Sequence, residues 1–289
     1  MLNEIFYFVG SRTGNRLIHR ITQQEYSTLK RFNDDFFKFS NVVDCYNNFL
    51  RSRLMIEEYV SVVETHSGDM EKIYSELKFL MLTNILLGRL FFDNCKSFTL
   101  QLKLMELNEQ IKKYEQNKEI KVLKILRDFG QHFSIPVDNL QLQTDIIRDK
   151  TSVEIYVSKS ELERNKGANK QNDTFISEMI EGEIALLDSF KKWSLVIDQV
   201  FLKLKRVFYQ QIPLEIKNLL EKYFEPVIMN SGIYRPDFIS IEVLDQSNIS
   251  LPDRPNETFN TYRNIEFTRY SRNALEELLV SDEKIRKTT

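Results

Sequence analysis

The sequence predicts a mainly α fold, a helical bundle carrying one β-hairpin insertion and followed by a mixed C-terminal region. Three observations carry this expectation. Glycine (8) and proline (6) are scarce in 289 residues, whereas Leu, Ile, Lys and Glu abound, a balance that favours long helices over a many-turned sheet. Apolar residues recur at helical spacing over residues 41–66, 69–107, 119–131 and 174–209. The period then changes to two over residues 137–158, where Leu140, Leu142, Thr144 and Ile146, then Val153, Ile155 and Val157, alternate around a turn at residues 148–151.

These periods divide the chain into three parts. Residues 1–39 form an N-terminal strand and helix segment, residues 40–210 the bundle with its hairpin, and residues 211–289 the mixed region. Ile5, Tyr7 and Val9 alternate, so residues 1–22 are expected to be extended or a hairpin. Residues 23–39 predict a short helix with an aromatic end, and Ser40 is a candidate N-cap for the helix over 41–66. Gly68 closes that run, and Asp69 opens a helix that extends toward residue 117. The apolar residues over 80–92 cover nearly the whole circumference, which places this stretch at the centre of the bundle. In residues 119–131, Val122, Leu123, Leu126 and Phe129 share a face, and Gly130 and Pro136 are expected to stop the helix. Residues 159–173 are polar and predict a solvated linker. A helix is expected over 174–209 and another over 214–228, then short strands at 238–244 and 264–268, then a helical tail from Arg272.

Composition narrows the function classes. The formal charge is −2, so no global basic field advertises a nucleic-acid partner, and any RNA contact must come from a local patch. Cys45 and Cys95 lie in apolar-periodic stretches and are expected to be reduced thiols; with so few histidines nearby they make no zinc site. Glu4 and a short apolar run at the N-terminus do not read as a signal peptide. Lys78, Asn84 and Arg89 interrupt the most apolar helix, so no membrane contact is expected and a cytoplasmic location follows. Walker loops, dinucleotide-binding glycine motifs, zinc-protease motifs and nucleophile elbows are all missing from the sequence.

One constellation stands out. Arg127, Asp128, Phe129, Gly130, Gln131 and His132 close a helix that follows two long ones. An Arg can grip phosphate oxygens bidentately, and a His can take a proton near neutral pH, so the pair suits RNA cleavage by the RNA's own 2′-hydroxyl without a metal. Arg, four residues, then His, with a polar residue directly after the Arg, resembles the motif of HEPN-domain ribonucleases. The order of helices over residues 40–210 is similar to a HEPN bundle as well.

That resemblance implies a metal-independent endoribonuclease with no cofactor, acting as a toxin or abortive-infection effector in antiviral defence. In it His132 is the base, Arg127 the phosphate clamp and Asp128 an orienting residue. It also implies RNA as substrate, a homodimer that brings two motifs into one cleft, and an antitoxin or trigger protein as partner. Many members carry Tyr two residues after the His, whereas this chain has Ser134, which leaves any role of that Tyr without a residue here. The other reading of the same residues is structural: Arg127 paired to a helix-surface acid, His132 a helix-end cation, and the bundle a non-catalytic dimerising scaffold.

Other features carry less. Arg12 and His19 repeat the bare Arg-to-His spacing with six residues between, but in an N-terminal turn rather than at the end of a bundle helix. Arg263, Arg269, Tyr270 and Arg272, with Tyr262, mix aromatics and guanidinium groups in a way that suits RNA stacking, or an ordinary solvated surface. Asn84 and Arg89 suit either a cleft or a satisfied buried position. Glu57, Glu58, Glu181 and Glu183 are expected to be helix-surface charges.

Overall fold

The computed structural model describes residues 4–10, 17–65, 69–132, 135–145, 150–165, 167, 169–229, 238–245 and 264–279. The first half runs β1 (Glu4–Gly10), β2 (Leu17–Ile21), α1 (Gln23–Thr65), α2 (Met70–Gln101), α3 (Met105–Tyr114), α4 (Lys118–His132), β3 (Asn139–Asp145) and β4 (Lys150–Ser158). There follow α5 (Lys159–Glu163), α6 (Lys170–Glu178), β5 (Glu183–Ala185), α7 (Leu186–Gln211), α8 (Leu214–Leu219), a π-helical turn at Leu220–Phe224 and α9 (Glu225–Met229). Strands β6 (Phe238–Asp245) and β7 (Asn264–Ser271) and helix α10 (Arg272–Leu279) complete the described chain. It is mainly helical, as the sequence predicts, and divides into two compact units: Met1–Asp44 with Lys205–Thr289, and Cys45–Leu204.

In the first unit the strands form an antiparallel sheet in the order β2-β1-β6-β7. Phe6 pairs with Ile21 on one side and Val243 on the other, so the N-terminal hairpin is extended by strands from the far end of the chain. Phe36, Phe224 and Tyr270 are buried together, with ring centroids 5.3 Å (Phe36–Tyr270) and 4.8 Å (Phe224–Tyr270) apart. Helix α1 starts with a capping box: the Thr22 hydroxyl accepts from the Glu25 amide (3.2 Å), and the Glu25 carboxylate accepts from the Thr22 amide (2.9 Å). Pro226 has no N–H and its ring crowds the carbonyl four residues back, and the helix before it widens to the π turn, in which the Glu225 amide bonds Leu220.

The second unit holds the bundle. Trp193, Phe49, Phe91, Phe92 and Phe129 are fully buried in its core. Asn84, which the sequence left open as a cleft residue, is also fully buried: its amide donates to Ser52 Oγ (2.8 Å) and its carbonyl accepts from Trp193 Nε1 (3.0 Å). Arg89 is likewise structural, pairing with Asp93 (2.8 Å) and Glu115, which also accepts from Lys96 (3.0 Å). The hairpin forms, with Leu142 opposite Val153, but Lys150 and Thr151, expected in its turn, belong to β4 and pair with Asp145 and Thr144; β5 adds a third strand beside β4.

Several expectations are corrected. Residues 23–65 form one continuous helix, and Ser40 is buried inside it rather than capping a second one. Asp69 does cap α2, accepting from the Glu71 amide at 3.0 Å, but the helix ends at Gln101. Lys103 takes a left-handed conformation (φ 57°) and α3 starts afresh. Gly130 lies inside α4 and does not stop it; a Cβ there would stand 2.9 Å from Leu82 Cδ1, so glycine permits a close approach to α2. Residues 159–173 are no linker, since they hold α5 and the start of α6. The helix expected over 174–209 is broken at β5, and α7 begins only at Leu186. Glu154 on β4 fixes that start by accepting the amides of Leu187 (2.7 Å) and Asp188 (3.3 Å).

Candidate functional site

Helix α4 forms because Ile120, Leu123, Leu126 and Phe129, with Val122 and Ile125, bury one broad face. Its remaining face carries Lys121, Lys124, Arg127 and Asp128, and His132 is its last residue. The helix thus sets the positions of the whole Arg-to-His motif. His132 follows Arg127 by five positions, a rotation of about 140° and a rise of about 7.5 Å. Within one chain the two side chains therefore leave the helix on different sides.

Arg127 is half-buried, and its Nη1 donates to Asp128 Oδ1 at 2.8 Å. The other carboxylate oxygen of Asp128 accepts from Asn172 Nδ2 (3.0 Å) and Asn169 Nδ2 (3.2 Å). Burial by itself raises the pKa of Asp128, but the hydrogen bonds and charge of Arg127 and the two amides outweigh it and hold the carboxyl below its ordinary value. Asn169 is also the N-cap of α6, its side chain accepting from the Gln171 amide at 3.0 Å. Asp128 therefore orients Arg127 and ties α4 to the first turn of α6. The rest of the guanidinium has no partner among the described residues, and His132 is exposed at the helix end. Phe133 and Ser134 lie outside the described residues.

The sequence singled out Asp128 but missed Asn169 and Asn172. An asparagine just before a polar helical turn is an N-cap signal, and reading it at Asn169 would have found the start of α6.

The aromatic and arginine cluster near the C-terminus does not hold together. Tyr270 is buried, and its hydroxyl donates to the Leu29 carbonyl at 2.6 Å. Arg272 is also buried and donates to Glu276 Oε1 (2.7 Å) and the Ile228 carbonyl (3.1 Å). Both are core residues rather than the surface residues the sequence suggests, because strand β7 turns Tyr270 inward and helix α10 carries Arg272 into the interior. Arg269 is exposed, its guanidinium 5.9 Å above the Phe238 ring, while Arg263 lies outside the described residues. Arg12, of the second Arg-to-His match, lies outside them too, and His19 is exposed on β2.

Glu57 and Glu58 are exposed on α1 as expected, whereas Glu181 and Glu183, also exposed, are not on a helix: Glu181 lies in a bend and Glu183 opens β5. Cys45 and Cys95 form no disulfide, and burial pushes the Cys95 thiol well up from its ordinary pKa. Among the described residues no helix is long and apolar enough to cross a membrane, and no group of three or more His, Cys, Asp or Glu side chains is placed to hold a metal. No family model, curated protein or solved structure matches the chain.

Proposed function

We propose that this protein is a metal-independent endoribonuclease of the HEPN type, with Arg127 as the phosphate clamp, His132 as the proton acceptor and Asp128 as the residue that orients the clamp. The observation that carries this reading is the guanidinium of Arg127: one edge is fixed by Asp128, itself fixed by two amides, and its other donors are unspent among the described residues. An arginine held this way meets a phosphate at little cost in side-chain entropy. His132, exposed at the end of the same helix, takes the proton of a 2′-hydroxyl.

Because Arg127 and His132 leave α4 in different directions, the reading requires a homodimer in which the two motifs share one cleft. The bond broken is P–O5′, the bond formed is 2′-O–P, the proton of the 2′-hydroxyl passes to His132, and the leaving 5′-oxygen takes a proton from water. A toxin or abortive-infection effector, restrained by an antitoxin or released by a trigger protein, is the role that suits such chemistry.

A dimerising scaffold is the second reading, and Asp128 itself favours it, since its bonds to Asn169 and Asn172 dock α6 on α4. Cleavage of RNA in EDTA separates the two. The enzyme yields products ending in 2′,3′-cyclic phosphate, spares RNA methylated at the 2′-hydroxyl, and loses activity in His132→Ala. Cleavage that stops in EDTA, or persists in full in His132→Ala, overturns the catalytic reading.

A further inference from the structure

Helices α4 and α6 enclose two cavities of opposite character. The larger, about 470 Å³, is bordered by Glu119, Glu178, Glu181 and Asp188 against Lys118 and Lys192, and Lys192 is bonded to Asp188. A phosphate is repelled there. The smaller, about 300 Å³, is lined by Lys121, Lys124, Gln171, Asn172 and Phe175 among others. Two acids touch it, Glu115 and Glu178, but Glu115 is already neutralised by Arg89 and Lys96. Among the described residues Lys124 bonds the neutral Gln171 amide, at 3.3 Å, and no acid, so the local balance favours an anion.

The smaller cavity connects to the motif. Its wall residue Asn172 donates to Asp128, and Asp128 accepts from Arg127. Lys124 precedes Arg127 by three residues, a rise of about 4.5 Å along the helix. A strand with one phosphate on Arg127 thus brings its neighbouring nucleotide over this opening.

We infer that the cavity between Lys121, Lys124 and Phe175 seats one nucleotide of a single-stranded RNA next to the scissile phosphate. Lys121 and Lys124 hold the phosphate, Phe175, half-buried in the cavity wall, stacks on the base, and the side-chain amide of Gln171 meets the base edge. The inference rests on the ribonuclease reading for its substrate, but the seat is separate from the reacting residues.

The test uses a fluorescein-labelled ten-nucleotide RNA of mixed sequence and the full-length chain. Binding is measured on the His132→Ala background, so that RNA stays intact, and cleavage is measured with His132 in place. Replacing both Lys121 and Lys124 by Ala is expected to weaken binding about tenfold or more. It should also lower the magnitude of the slope of log affinity against log salt by about 0.7, the value for one phosphate contact on a single strand. Phe175→Leu should weaken binding about fivefold or more and leave the slope unchanged. Ala at Lys72 and Lys191, exposed lysines away from the cavity, serves as the control, with only a small change. Gln at Lys121 and Lys124 repeats the test should the Ala pair lose its helical signal.

Cleavage that survives with wild-type KM in the Lys121/Lys124 variant overturns the seat and leaves the ribonuclease reading standing. Binding that depends on both lysines without cleavage by the wild type upholds the seat and overturns the chemistry. No binding by the wild type overturns both. Saturable binding of a free mononucleotide that the same substitutions abolish, with no effect of them on RNA, overturns the strand assignment in favour of a small-molecule site.

Discussion

Asn172 Nδ2 lies 3.0 Å from Asp128 Oδ2, so an amide from the first turn of α6 holds the carboxylate whose other oxygen orients Arg127. Asp128 is thus both a packing residue and a positioning residue, and the two roles separate with pH and with substitution.

The first prediction concerns that carboxylate. The pKa of Asp128 is lowered in the folded chain, so its contribution is whole above the unfolded value of about 3.9 and is lost as pH falls through the folded value. Asp128→Asn should cost about 1–3 kcal/mol at neutral pH, the range for a partly buried charge-assisted hydrogen bond. Urea unfolding of both proteins from pH 7 to pH 3 should show a constant gap above about pH 5 that narrows below about pH 4. A gap that is flat across the series would show that the charge is not what matters.

His132 and Arg127 should separate activity from stability. His132 is exposed at the end of α4, so His132→Ala should abolish RNA cleavage while changing stability by less than about 0.5 kcal/mol. Arg127→Lys should cut activity nearly as far, because an ammonium cannot reproduce the planar two-point grip. Thermal melts beside cleavage rates check both, and sedimentation equilibrium at micromolar protein should give a dimer. A strict monomer with full activity would contradict the shared cleft.

Glu25 makes an acid-sensitive anchor in the first unit. Burial raises its pKa, but the Lys222 ammonium, the Thr22 amide and hydroxyl and the Tyr223 hydroxyl together bring it down to about 2 from 4.5. Its contribution is therefore complete above about pH 4.5 and disappears as pH falls toward 2. Lys222 is more than half exposed, so little of this comes from the ion pair alone. Glu25→Gln should cost about 1–2 kcal/mol through the cap and the Tyr223 bond, measured as a shift in urea midpoint at pH 7.

Gly88 gives a packing test with an unusual sign. A Cβ there would stand 3.2 Å from both Ile197 Cδ1 and Leu123 Cδ2, and 3.4 Å from Phe49 Cε2. Alanine normally gains about 1 kcal/mol over glycine in a helix. Gly88→Ala should instead destabilise by about 1–3 kcal/mol, because three buried side chains must shift together. A higher melting temperature would show that the core has room there.

The sequence by itself determined the local elements whose cause is local. Apolar spacing marked the bundle helices, alternation marked the hairpin of β3 and β4, and Asp69 announced the start of α2. The motif was legible as residue types at a spacing, and its placement at the end of α4 followed from the same periodicity. The capping box at Thr22 and Glu25 and the cap at Asn169 are local signals too, each a side-chain acceptor just ahead of a helical turn.

The tertiary structure decided what depends on distant partners. A strand carries no mark of which edge it joins, so the pairing of β1 with β6 is set by the sheet that buries both. Tyr270 and Arg272 resemble surface chemistry as residue types, yet the pleat of β7 and the docking of α10 put them in the core. The break before α7 depends on Glu154, more than thirty residues away in sequence, reaching the amides of Leu187 and Asp188. Asp128 meets Asn172 only because α6 packs across α4. Hydrogen bonds and burial are satisfied in space rather than along the chain, and a single sequence records the groups that need partners without recording which partners they find.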